Sequence, residues 1–202
     1  MTQGDTPAPR FVCPTMRLRP PRSPTPSTYV RGRGSLLGND AFDDEGGEFP
    51  ELTPTHIREH FGIQAPNKHF DTMLQGRGSY QVALDAGLTR PYAHMREYVF
   101  SSTLPHDVDP HVSVVAGDPV ATVRELKQEK SALDICLVGG PTIAGALLPE
   151  IDTLLLKRYP VVAGAGKPVF QGAFTPTAFE RTQSVAFDSG ADYTFFTRAD
   201  GS

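Results

Sequence analysis

Short apolar runs alternate with helix-spaced segments through the second half of the chain. Glu97–Ser101, His111–Val115, Leu133–Val138, Thr153–Lys157, Ser184–Asp188 and Tyr193–Thr197 read as strands, rich in β-branched and aromatic residues and bounded by turn formers. Asp118-Pro119 starts a helix that carries Val120, Val123, Leu126 and Lys127 at helical spacing, and Pro141 opens another with Ile143, Ala144, Leu147 and Leu148. An earlier strand, Thr72–Gln75, runs into a helix with Tyr80, Ala83 and Leu84 turned inward. Thr53-Pro54 offers a cap and a first-turn proline to a short helix holding Ile57, His60 and Phe61. This alternation predicts an α/β fold. The last two strands, joined at Ser189-Gly190, predict a hairpin that adds an antiparallel edge to a mainly parallel sheet.

The first fifty residues lack such a pattern. Residues 1–26 hold seven prolines, with Arg10, Arg17, Arg19 and Arg22 opposed only by Asp5, which reads as a flexible tail. Gly32, Gly34 and Gly38 follow, then an acidic patch of Asp40, Asp43, Asp44, Glu45, Glu48 and Glu51 that reads as a solvated loop. The expected division is therefore a tail and loop over 1–50 and one folded domain over 51–200.

Composition narrows the function. With 202 residues, 39% of them hydrophobic, and a net charge of -4, the chain can build one core and offers no basic stripe for nucleic acid. No run of 18 apolar residues and no signal-like segment is present, so no membrane partner and a cytoplasmic setting are expected. Cys13 and Cys136 are the two thiols; Cys136 sits in an apolar run and reads as a small buried hydrophobe.

Candidate chemistry lies at the strand ends. Leu133–Val138 runs into Gly139-Gly140-Pro141-Thr142 and a helix, a geometry whose free N–H groups and dipole favour an anion, although a tight turn alone would also select glycine. Thr72–Gln75 repeats the arrangement with Gly76-Arg77-Gly78-Ser79, where Arg77 and Ser79 can bind phosphate or serve as a surface charge and a cap. Val99-Phe100-Ser101-Ser102-Thr103 presents hydroxyls at a third strand end, where parallel sheets bind ligands. Two other patterns compete. Val161–Lys167 resembles a phosphate loop but lacks its first glycine and its hydroxyl, since Val161 and Pro168 stand there. His56, Glu59 and His60 match a zinc-protease spacing, with no evident third ligand and a good fit for His60 to a helix face.

Taken in order, these segments resemble the dihydrofolate reductase-like family, in particular the C-terminal reductase domain of bifunctional riboflavin-biosynthesis proteins. The resemblance spans about Lys68 to Arg198. It is carried by Phe70–Tyr80, Tyr98–Leu104, Gly117-Asp118-Pro119 with Leu126-Lys127, Asp134–Gly140, Ala146–Asp152 and Pro160–Phe170. It implies a three-layer fold and an NADPH site, with Gly76, Arg77 and Ser79 at the adenosine phosphates, Ser101 beside the extra phosphate, and Gly139 and Gly140 along the pyrophosphate; Ser102 and Thr142 are the further candidates for cofactor binding. The implied activity is reduction of a small pteridine- or pyrimidine-like molecule, a riboflavin precursor or a dihydrofolate-type substrate. Lys167 becomes part of a connection that ends in apolar Phe170.

The chain departs from the family at three places. Ser102 stands where most relatives carry arginine, and Thr153 where glutamate is common at a surface or dimer contact; a homodimer stays open. A Leu-Asp-Gly-like motif after an N-terminal apolar strand has no clear copy in residues 1–50, Tyr29–Gly38 being the nearest segment. No catalytic acid is assigned, Asp40, Asp43 and Asp44 being candidates without support. The competing readings are a catalytically degenerate dinucleotide-binding or dimerisation protein, and a zinc hydrolase built on His56, Glu59 and His60.

Overall fold

The computed structural model describes residues 11–15, 49–162, 164–186 and 190–199. Eight strands form one sheet: β1 (Phe11–Thr15), β2 (Phe70–Gly76), β3 (Arg96–Phe100), β4 (Val112–Val115), β5 (Asp134–Leu137), β6 (Thr153–Arg158), β7 (Phe179–Ala186) and β8 (Asp192–Arg198). Their order is β4-β3-β2-β5-β1-β6-β8-β7. The six strands from β4 to β6 pair in parallel, and β8 pairs antiparallel with both β6 and β7. The expected mixed sheet and C-terminal hairpin are both present.

Helices cover both faces because consecutive residues of each strand point to opposite sides. On one face Leu74, Phe100, Ile135, Leu137 and Leu154 pack under α3 (Pro119–Gln128) and α4 (Pro141–Ala146), which contribute Val123, Leu126, Ile143 and Ala144. On the other, Val99 and Val112 pack with Tyr80 of α2 (Arg77–Asp85), while Met73, Cys136, Leu155 and Tyr193 lie with Phe49 and Leu52. Tyr80 is fully buried and its hydroxyl donates to the Thr89 carbonyl. Burial, reinforced by the nearby Glu97 and Asp109 carboxylates, pushes its phenol up to about 12, so it remains a neutral donor.

The sheet corrects the reading of the first fifty residues at two points. Phe11–Thr15, assigned to a flexible tail, is a central strand whose Val12 is in register with Cys136 on one side and Thr153 on the other. Pro14 hid it, since proline argues against a central strand; it lies past Phe11 and Val12, the two residues paired with β5. Glu51, placed in a solvated acidic loop, is fully buried. Its carboxylate accepts from the backbone N–H groups of His69 at 2.7 Å, Phe70 at 3.0 Å and Lys68 at 3.4 Å, and so holds the entry to β2. Asp40, Asp43, Asp44, Glu45, Glu48 and the Tyr29–Gly38 segment lie outside the described residues.

Smaller differences have equally local causes. β7 begins five residues before the expected Ser184, because Phe179–Gln183 is mostly polar and exposed on an edge strand and carries no burial signal. Helix α1 (Thr55–Phe61) starts one residue late, with Pro54 at its cap position and no capping side chain. The Thr55 hydroxyl is engaged elsewhere, accepting from the Ala93 N–H at 2.8 Å and lying 3.0 Å from His94 Nδ1. Phe61 is 49% exposed instead of packing inward. At α3 the expectation holds: the Asp118 carboxylate accepts from the Val120 N–H at 2.9 Å.

Candidate active site at the carboxyl ends of the strands

The three strand ends marked out in the sequence are neighbours in space. Gly76 closes β2 and is in register with Phe100 at the end of β3. Its N–H donates to the Gly139 carbonyl at 3.1 Å, just past the end of β5. Ser101 N–H in turn donates to the Val115 carbonyl at the end of β4, at 2.9 Å. A continuous rim therefore runs β4-β3-β2-β5. Helices α2, α3 and α4 all begin on it; α2 and α4 start without a capping side chain, whereas Asp118 caps α3.

The glycines make this rim possible. Gly139 has φ +68, a left-handed conformation that side chains rarely adopt, and a Cβ there would meet Ser79 Oγ at 2.7 Å. A Cβ on Gly140 would lie 3.7 Å from the same oxygen. The peptide between Gly139 and Gly140 is cis. Ser79 thus reaches across from the first turn of α2 to the turn that opens α4, bringing Gly76, Ser79, Gly139 and Gly140 together. Thr142 stands further out, exposed, with its hydroxyl 3.3 Å from Gln171 Oε1 on the loop that follows β6.

Arg77, Ser101 and Ser102 meet in a cavity of about 300 Å³ lined also by Phe100, Thr103, Val115, Ala116, Gly117 and Pro119. Ser101 Oγ accepts from the Leu104 N–H at 3.0 Å and the Thr103 N–H at 3.2 Å, which fixes the loop after β3. The same oxygen lies 3.5 Å from Thr103 Oγ1, so the two hydroxyls share a contact at this strand end. A Cβ on Gly117 or Gly78 would meet nothing within 4 Å. Among the described residues no carboxylate lines the cavity: Asp118, next in the chain, is turned to its helix cap. A guanidinium, three hydroxyls and the uncapped start of α2 form a donor set suited to an anionic, phosphate-bearing molecule.

Sequence reasoning missed the residues that shape this cavity from behind. Ala116 carries no sequence signal, and Gly117 enters only with the Gly117-Asp118-Pro119 segment. Outside the cavity, Gln81, whose Oε1 accepts from Arg77 Nη1, carries none either. The competing patterns stay apart from the rim. His56, Glu59 and His60 are exposed on α1, and no group of three or more His, Cys, Asp or Glu side chains is placed to hold a metal ion among the described residues. Gly164 and Lys167 are exposed on the loop between β6 and β7, whose Phe170 packs against the core under α4. Among the described residues no helix is long and apolar enough to cross a membrane.

Comparison with known proteins bears on the fold. No family model matches the chain. The uncharacterised protein YwjB of Bacillus subtilis (strain 168) is 31% identical over 102 residues, half of this chain, and the chain spans 58% of that protein's length. Among solved structures, a protein of Shewanella sp. PV-4 provisionally assigned to riboflavin biosynthesis superposes with a TM-score of 0.55 at 19% identity, covering 95% of this chain and 99% of that one. Dihydrofolate reductase of Enterococcus faecalis, complexed with NADP(H) and the compound RAB-propyl, gives a TM-score of 0.52 at 17% identity over 77% of this chain and 88% of that one. The fold is dihydrofolate reductase-like.

Proposed function

We propose that the protein is a reductase that binds NADPH along the strand-end rim and reduces a small pteridine- or pyrimidine-like substrate of the riboflavin-precursor or dihydrofolate type. The observation that carries this reading is the hydrogen bond from Gly76 to Gly139, because it unites the two glycine turns beside the cavity that holds Arg77 and Ser101. The NADP(H) bound to the similar dihydrofolate reductase supports the choice of cofactor. When bound, the cofactor supplies hydride.

The chain's own residues supply position and polarity. In this reading Gly139 and Gly140 let the pyrophosphate approach the backbone, and Ser79, held against that turn, donates to it. Thr142 adds a hydroxyl at the start of α4. Arg77 and Ser101 face the phosphate that distinguishes NADPH from NADH, and Ser102 contributes a neutral donor there. One guanidinium favours the extra phosphate, and Ser102 adds no charge to it.

Titration of the full chain with NADPH and with NADH, read from nicotinamide fluorescence, tests the cofactor. Saturable binding is expected, and binding of neither would overturn the proposal. Turnover separates reductase from a degenerate binding protein. Chain residues after β1 read Met16-Arg17-Leu18-Arg19, without an Asp-Gly pair. Slow oxidation of NADPH with dihydrofolate or an aminopyrimidine riboflavin precursor is therefore the expected result, and cofactor binding with no turnover on either substrate would favour the binding protein.

A further inference from the structure

Arg77 does not hang freely over its cavity. Its Nη1 donates to Gln81 Oε1, and Gln81 Nε2 donates onward to Asp85 Oδ1 at 2.6 Å. The three residues lie four apart along α2 and so share one face of the helix. A carboxylate only accepts, so Asp85 turns the Gln81 NH₂ toward itself and leaves the amide oxygen as the group that meets the guanidinium. No other described residue engages the remaining Arg77 donors.

The chemistry of this relay is specific. An amide oxygen orients a guanidinium without cancelling its charge, whereas a carboxylate in the same place would pair with it and compete with any phosphate. We infer that Gln81, oriented by Asp85, is a positioning residue that sets the preference for NADPH over NADH by aiming a fully charged Arg77 into the cavity beside Ser101. This rests on the proposed cofactor, and deepens it by assigning selectivity to residues outside the cavity. Gln81 and Asp85 are not core residues, since one is half-buried and the other exposed, so their replacement leaves the helix intact.

The test compares dissociation constants for NADPH and NADH in the full-length protein, unchanged and with Gln81→Glu, Gln81→Met or Asp85→Ala. Gln81→Glu is expected to weaken NADPH about tenfold, close to one charged hydrogen bond, with NADH little changed. Gln81→Met should give a smaller selective loss, and Asp85→Ala a smaller one still. A merely structural role would weaken both nucleotides together, so an unchanged NADPH-to-NADH ratio in all three variants overturns the inference. Equal affinity of the unchanged protein for both nucleotides also overturns it. Binding of neither would overturn the cofactor proposal itself, and the two failures are thereby distinguished.

Discussion

The Gln75 amide donates to the Glu97 carboxylate at 3.1 Å, inside the sheet face that packs against α2, where both side chains are almost fully buried. The Tyr92 N–H donates to the other carboxylate oxygen at 2.9 Å. Desolvation outweighs these bonds and pushes Glu97 up to about 7 from its ordinary 4.5. The folded protein therefore binds this proton more tightly than the unfolded chain, and stability falls as pH rises from about 4.5 to about 7, levelling above that. The loss is on the order of 3 kcal/mol. Urea unfolding at several pH values checks this: Glu97→Gln should flatten the slope across that window, and a variant with the unchanged protein's pH profile would refute the assignment.

Glu51 makes a different prediction, because its buried carboxylate takes the backbone N–H groups of Lys68, His69 and Phe70 at the entry to β2. Each buried N–H left unsatisfied costs about 1–3 kcal/mol. Glu51→Ala should destabilise by about 3 kcal/mol or more. Glu51→Gln should cost less, since one oxygen can still take the His69 and Phe70 groups while the new NH₂ faces the more distant Lys68. Equilibrium unfolding of the pair gives the ranking, and an equal cost for both would mean that the bonds are not what holds β2.

At the rim, Gly139→Ala should weaken cofactor binding and stability together, since the new methyl group meets Ser79 Oγ at 2.7 Å and φ +68 strains any side chain. Ser79→Ala removes the near atom and leaves Ser79 Cβ at 3.8 Å, an ordinary contact. The double variant should therefore recover the steric part of the cost and retain about 1–2 kcal/mol of backbone strain. A double-mutant cycle measures the coupling. Strict additivity would show that Ser79 and Gly139 do not touch.

These contrasts show what the chain makes legible. Gly76, Ser101 and Gly139 stood out because turns and strand ends leave local signatures, and the parallel order of their strands brings such ends to one edge. Glu51 gave no local sign of burial: its partners lie seventeen to nineteen residues away, and acidic neighbours masked it. β7 was shortened because an exposed edge strand needs no apolar alternation. Gln81 carries no sign in the sequence because its hydrogen bond from Arg77 depends on where that side chain points, which spacing alone does not fix.

β1 supplies the last prediction, because it reverses the expectation that residues 1–26 form a flexible tail. The strand sits between β5 and β6, and among the described residues no other strand bridges them in the sheet order. Removing residues 1–15 would strip both neighbours of a ladder partner and separate the four strands that carry the rim from the three at the C-terminal side. Backbone N–H and C=O groups of β5 and β6 would then be left open in the middle of the molecule, each costing about 1–3 kcal/mol unless water reaches it. Loss of cooperative thermal unfolding, together with loss of nucleotide binding, is the expected outcome. A milder variant keeps the chain length: Val12→Pro places a residue without an N–H where the register meets Cys136 and Thr153, and should destabilise by about 3 kcal/mol or more. If the truncated protein melted cooperatively at the unchanged temperature, Phe11–Thr15 could not be a central strand, and the rim would have to be held together without it.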